Sequence, residues 1–189
     1  MDEFTLIEKY FKKLTYNNPS ALNLNDDVFF DKKNNVVISA DSYVEGVHFL
    51  NFRNPDLVIK KIIRSSISDL YCKAVMPKFI FIGASGNNNS FSNKNLNIIS
   101  KSLKEEQKKF GIKLSGGDTT KSNKTIFTIM SLGYSKRIAQ RNKCKNGDDI
   151  YVTGNIGDSY LGLQILKRKV LLNKKEHNYF TKKYYLPEL

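Results

Sequence analysis

Cysteine, arginine and long apolar runs are all scarce in this 189-residue sequence. The two cysteines, Cys72 and Cys144, lie far apart and form no Cys-x-x-Cys spacing. They read as reduced thiols of a cytoplasmic protein, with no disulfide framework. No apolar stretch approaches the ~20 residues that a membrane-spanning helix needs. The opening segment, MDEFTLIEKYFKKL, is acidic and then amphipathic, which is not the basic-then-apolar layout of a secretory signal. Arginine occurs only at Arg53, Arg64, Arg137, Arg141 and Arg168, so the net charge of +13 is carried almost wholly by lysine. Nucleic-acid sites favour arginine with stacking aromatics on the same face, and no such arrangement is visible. Lysine, asparagine and isoleucine are abundant together and share A/T-rich codons, which accounts for the charge without a nucleic-acid partner. A basic nucleic-acid-binding module stays the competing non-enzyme reading, and its affinity would fall steeply with salt.

What is present suits a globular chain: 40% hydrophobic and 26% charged residues. Phe4, Ile7, Tyr10, Phe11 and Leu14 form a helical stripe over residues 3–14. Residues 27–31 and 35–43 read as a hairpin across a KKNN turn. Asn54-Pro55 predicts a capped helix start, followed by Leu57, Val58, Ile62, Ile63, Ile67 and Leu70 at helical spacing. A buried strand over 78–85 comes next, then a polar loop. A second amphipathic helix follows over 93–110, stopped by Gly111, and then strands over 112–115 and 125–134. The pattern, close to β-β-α-β-α-β, predicts an α+β fold with helices on one face of a mixed sheet. Residues 1–140 are expected to form this first domain. Residues 141–189 read as the opening strand and helices of a second α/β domain, with "IYV" as its strand, as if the chain were cut inside it.

The segment LSGGDTT, residues 114–120, poses the functional question. Glycine and aspartate are ordinary turn residues. Two glycines beside an acid also suit a place where phosphate or metal approaches the backbone. Other acids sit at element ends: Asp26 and Asp27 entering the first strand, Asp41 leaving the second. Asp69 lies in a helix interior, which disfavours aspartate. If these acids converge, they suit Mg²⁺, which takes oxygen ligands from one or two carboxylates, phosphates and water. Spacing alone leaves open whether they converge or serve as separate caps and turns.

NDDVFF, ISADSYVEGVHF, SISDL, LSGGDTT and NGDDIYVTGNIGDSYLGL occur in an order that resembles the thiamine-monophosphate kinases of the aminoimidazole-ribonucleotide synthetase superfamily. Asn25 and Ala40 stand where that family usually has Gly and Thr. The resemblance implies a kinase that uses ATP and Mg²⁺ to convert thiamine monophosphate into thiamine diphosphate, by direct in-line transfer with no catalytic nucleophile. It implies that Asp27, Ser39, Asp41, Asp69 and Asp118 bind Mg²⁺, and that Gly117, Asp118 and Arg141 border ATP. His48 is implied to contact the thiamine substrate. It also implies a homodimer in which two first domains pair their sheets. Residues 1–189 alone are expected to keep some Mg–nucleotide affinity but little turnover. Another ATP-using enzyme of the superfamily, with a different acceptor, is the nearest alternative. GNIGDS lacks the lysine of a Walker loop and reads as a strand-to-helix turn.

Overall fold

The computed structural model describes residues 1–141 and 143–189. Strands β1 (Phe29–Asp31) and β2 (Val36–Val44) form the expected antiparallel hairpin. Its turn is closed by the Asp31 carboxylate, which accepts from the backbone N–H groups of Lys33 and Asn34 at 2.9 and 3.1 Å. Helix α1 (Glu3–Leu6) precedes the hairpin, and helix α2 (Pro55–Cys72) starts where predicted, with the Asn54 side chain accepting from the Leu57 amide. Strand β3 (Pro77–Gly86), helix α3 (Asn93–Phe110), strand β4 (Lys113–Lys121) and strand β5 (Ile126–Tyr134) follow. Gly111 ends α3 in the left-handed conformation at φ 65°. The order is therefore β-β-α-β-α-β-β, one strand longer than the expected pattern.

The five strands form one mixed sheet in the order β1-β2-β5-β3-β4. Only β3 and β4 are parallel, joined by the α3 crossover. Helices α2 and α3 lie on one face, which makes this an α+β fold. Val58, Ile59, Ile62, Ile63 and Ile67 of α2 are buried against Tyr43, Ile80, Phe127 and Ile129 of the sheet. On the opposite face Ala40, Ser42, Thr128, Met130 and Tyr134 are exposed.

Three expectations need correction. The GGDTT segment is not a turn at a strand end; it runs in extended form within β4 as an edge strand. A bulge shifts the β3–β4 register so that Ile80 pairs with Leu114 but Phe81 with Gly116. A Cβ on Gly117 would lie 2.0 Å from the Ile82 carbonyl oxygen. Close approach of β3 thus explains that glycine, where sequence reading invoked a phosphate. The amphipathic stripe of residues 3–14 is formed but not buried: Phe4 and Leu14 are 70% and 62% exposed. A π-helical turn over Ile7–Phe11 interrupts the α-helical period there. Finally, Ile150, Tyr151 and Val152 form no strand and are exposed, because no strand of the sheet runs beside them. Helices α4 (Asp158–Leu166) and α5 (Lys174–Tyr185) are formed and pack on each other. A Cβ on Gly162 of α4 would lie 2.2 Å from the Phe180 carbonyl. Helix α5 docks on α2 through Lys61, which donates to the Tyr184 carbonyl at 3.0 Å.

Candidate acidic phosphate site

Strand alternation sends Ser39 and Asp41 of β2 to the same, helix-covered face. The last turns of α2 cross that face and present Asp69, whose Oδ2 accepts from the Ser39 hydroxyl at 2.6 Å. This bond explains an aspartate in a helix interior: the side chain closes the junction between α2 and β2. Asp26 and Asp27 precede β1, the neighbour of β2. Arg141 follows β5, the other neighbour. Asp26, Asp27, Asp41, Asp69 and Arg141 consequently line one cavity of about 350 Å³, with Phe4, Ile7 and Leu24 as its apolar wall.

The electrostatics of this cavity are strained by like charge. Burial, and then repulsion from Asp41 and Asp27, pushes the Asp69 carboxyl up to about 6 despite the Ser39 hydrogen bond. Asp41 is also raised, chiefly by burial and further by Asp27, although it accepts from the Tyr43 hydroxyl at 3.2 Å. Asp27 is bound by the Arg141 guanidinium at 2.5 Å, and the Lys73 ammonium lies 3.8 Å from its other oxygen. Burial works to raise Asp26, but hydrogen bonds from Lys73 and from the Arg141 and Asp27 amides outweigh it and hold the carboxyl low.

The structure brings Asp27, Ser39, Asp41, Asp69 and Arg141 together. It does not bring Asp118, Gly117 or His48 to them. Asp118 pairs with Gly83, which pairs with Thr128, which pairs with Ser42. Ser42 is the residue after Asp41, so Asp118 belongs to the opposite face of the sheet. The Ser42–Thr128 and Ser85–Thr120 hydroxyl contacts, at 2.9 and 2.7 Å, mark that face. Three strand spacings of about 4.8 Å also put β4 roughly 14 Å from β2. The expectation that Asp118 shares one pocket with the other three aspartates is therefore corrected for a single chain. Gly117, Asp118 and Thr119 instead border an apolar cavity of about 510 Å³ between β4, α2 and α3. His48 is exposed on the loop after β2. Its Nδ1 accepts from the Val44 amide at 3.0 Å, and its ring meets Tyr43 edge-on at 5.9 Å.

One residue of the site, Lys73, was missing from the sequence reading, and another, Asp26, was given no role in it. Lys73, just past the end of α2, is 4% exposed and pairs with Asp26 at 2.5 Å. Asp26 was noticed only as the neighbour of Asp27. A lysine in a lysine-rich chain gives no signal of burial, and its partner is 47 residues away.

The donor set is oxygen-only, which suits a hard cation such as Mg²⁺. Among the described residues no three His, Cys, Asp or Glu side chains stand close enough to hold one metal ion. A bound ion would thus take one or two carboxylates and complete its shell with phosphate oxygens and water, as Mg²⁺ commonly does.

Comparison with known proteins bears on the family and the fold. The chain is 33% identical, over 98% of its length and 59% of the relative's, to a thiamine-monophosphate kinase of Buchnera aphidicola subsp. Schizaphis graminum. It superposes on AaThiL complexed with AMPPCP and TMP with a TM-score of 0.87 at 24% identity, covering 98% of this chain and 59% of that one. The thiamine monophosphate kinase of Aquifex aeolicus gives a TM-score of 0.84 at 23% identity, covering 98% and 60%. The chain thus spans about three fifths of the relatives that it matches. Residues 24–135, from the loop before β1 to the end of β5, match the model of the AIR synthase related protein N-terminal domain, and the chain belongs to that family.

Proposed function

We propose that this chain carries the metal–phosphate site of an ATP-dependent thiamine-monophosphate kinase. The observation that carries the reading is the convergence of Asp27, Asp41, Asp69 and Arg141 on one cavity. The name of the Buchnera relative and the AMPPCP and TMP bound by AaThiL support the choice of substrates. Asp27, Asp41, Asp69 and the Ser39 hydroxyl would hold Mg²⁺ ions between them, with one or two carboxylates to each ion, and bound Mg²⁺ would supply neutralisation of phosphate charge. Phosphoryl transfer asks little covalent chemistry of a protein; it asks for alignment and charge stabilisation. Arg141 fits that task, since its guanidinium is half-exposed at the cavity and offers a fork of donors to phosphate oxygens. Tyr43 anchors Asp41 and supports the loop of His48, which is assigned to the thiamine end of the acceptor. Gly117 and Asp118 are assigned to the border of ATP from the edge strand, outside the acidic cavity.

Residues 1–140 are proposed as the nucleotide-binding and dimerisation domain, and 141–189 as part of a second one. No described helix is long and apolar enough to cross a membrane. Calorimetric titration of the chain with AMPPCP tests the reading. Affinity is expected to depend on Mg²⁺ and to fall at least tenfold in Asp41→Asn. Affinity indifferent both to chelation and to this substitution would overturn it.

A further inference from the structure

Two consecutive acids enter β1, yet the structure gives them opposite surroundings. The side chain of Asp26 is 5% exposed and that of Asp27 is 39% exposed. Every oxygen of Asp26 is engaged. Oδ1 accepts from the Lys73 ammonium at 2.5 Å and from the Asp27 amide at 2.8 Å. Oδ2 accepts from the Arg141 amide at 3.3 Å. The side chain of Lys73 is itself 5% exposed, and its Nζ reaches only these two carboxylates among the described ion pairs. Its carbonyl accepts from the Ala139 amide at 3.2 Å. Lys73 and Asp26 therefore join three separate segments: the end of α2, the entry to β1, and the 139–141 segment that carries Arg141.

We infer that Lys73 is a built-in counter-cation and positioning residue of the acidic cavity. It ties up Asp26 at the cavity edge and leaves the more exposed Asp27 as the member of the pair that serves a metal or phosphate. The inference rests on the proposed function in that it takes the cavity as a cation site. Two arguments lead to it. A buried carboxylate whose two oxygens are both engaged, one of them by a desolvated ammonium, ligates an ion only by loosening that pair, and unpairing such a charge is costly. The Lys73 ammonium also does part of what a divalent ion would do, because it stands within 4 Å of both Asp26 and Asp27 and offsets part of their charge.

Mn²⁺ serves as a probe that needs neither ATP nor turnover. Its binding to the intact chain is read by electron paramagnetic resonance, beside melting temperatures in chelator and in Mg²⁺. Asp27→Asn is expected to weaken Mn²⁺ at least tenfold with little change in melting temperature. Asp26→Asn is expected to do the reverse, holding Mn²⁺ affinity within twofold while lowering the melting temperature, since Lys73 loses the closer of its two partners. Lys73→Met frees Asp26. It should bind Mn²⁺ several-fold more tightly and gain more melting temperature from Mg²⁺ than the parent chain does. Lys73→Arg should restore the parent values. The double variant Lys73→Met/Asp26→Asn removes both charges and keeps an acceptor for the Arg141 amide, so it stays informative if either single variant fails to fold. Its Mn²⁺ affinity should match the parent within twofold. A tenfold loss in the double variant or in Asp26→Asn, or unchanged Mn²⁺ affinity in a folded Lys73→Met, overturns the inference and leaves the cation site standing. No Mn²⁺ binding by the parent chain overturns the proposed function and this inference together.

Discussion

Asp69 sits where burial and two neighbouring carboxylates, Asp41 and Asp27, all oppose its charge. Its folded-state value of about 6 lies above the ordinary 3.8. Protonated Asp69 therefore favours the folded chain. That stability is complete below the ordinary carboxylate range and is lost as pH rises through about 6. Asp41 is shifted in the same direction and adds to the trend. In chelator, Asp69→Asn is expected to melt above the parent chain at pH 7.5, with the difference shrinking towards pH 4.5. A scan of melting temperature against pH for both proteins checks this, and a gap that grows at low pH would contradict it. Sequence showed only that an aspartate was out of place among Ile67 and Leu70. The Ser39 hydroxyl that accounts for it lies 30 residues away on another element.

Helices were legible because each carries its own start, stripe and stop: Asn54-Pro55 before α2, and Ser92 before and Gly111 after α3. Strand β4 was not, since Gly and Asp are commonest in turns and only the pairing with β3 makes GGDTT extended. Gly117→Ala is expected to cost roughly 1–3 kcal/mol by forcing β4 away from the Ile82 carbonyl. Urea unfolding, with amide exchange in β4 as the local readout, measures it. A second test belongs to the α2–α3 packing. Arg64 reaches both carboxylate oxygens of Glu106, at 2.8 and 2.9 Å, and the two side chains are 8% and 3% exposed. Breaking a buried pair by removing one partner typically costs about 3–5 kcal/mol. Glu106→Ala should fall in that range by chemical denaturation, whereas Lys183→Ala, which breaks the exposed Lys183–Glu188 pair, should leave the unfolding midpoint almost unchanged.

For the molecule as a whole, the sheet presents one face that none of the described helices covers. Met130 and Tyr134 are 41% and 54% exposed there, beside the half-buried Phe79 and Phe81. Tyr134 and Phe79 meet edge-on at 6.4 Å. We propose that a second copy covers this face, as the homodimer expectation requires. Met130→Lys is expected to shift sedimentation from dimer towards monomer with little change in the fold, because the residue touches no helix-side core. A parent chain that sediments as a monomer at high concentration would refute the dimer.

The sequence by itself determined the β1–β2 hairpin, helices α2 and α3, the α+β class and the family motifs. These depend on local hydrogen bonding, side-chain period and caps, all of which act within a few residues. Tertiary structure alone decided which acids meet. A strand sends alternate residues to opposite faces, and one bulged residue resets that alternation. The register across β2, β5, β3 and β4 therefore separates Asp118 from Asp41, although both read as strand-end aspartates. The Lys73–Asp26 pair was decided in the same way. Its charges become partners only when the end of α2 is folded against the entry to β1, in a place that water has left.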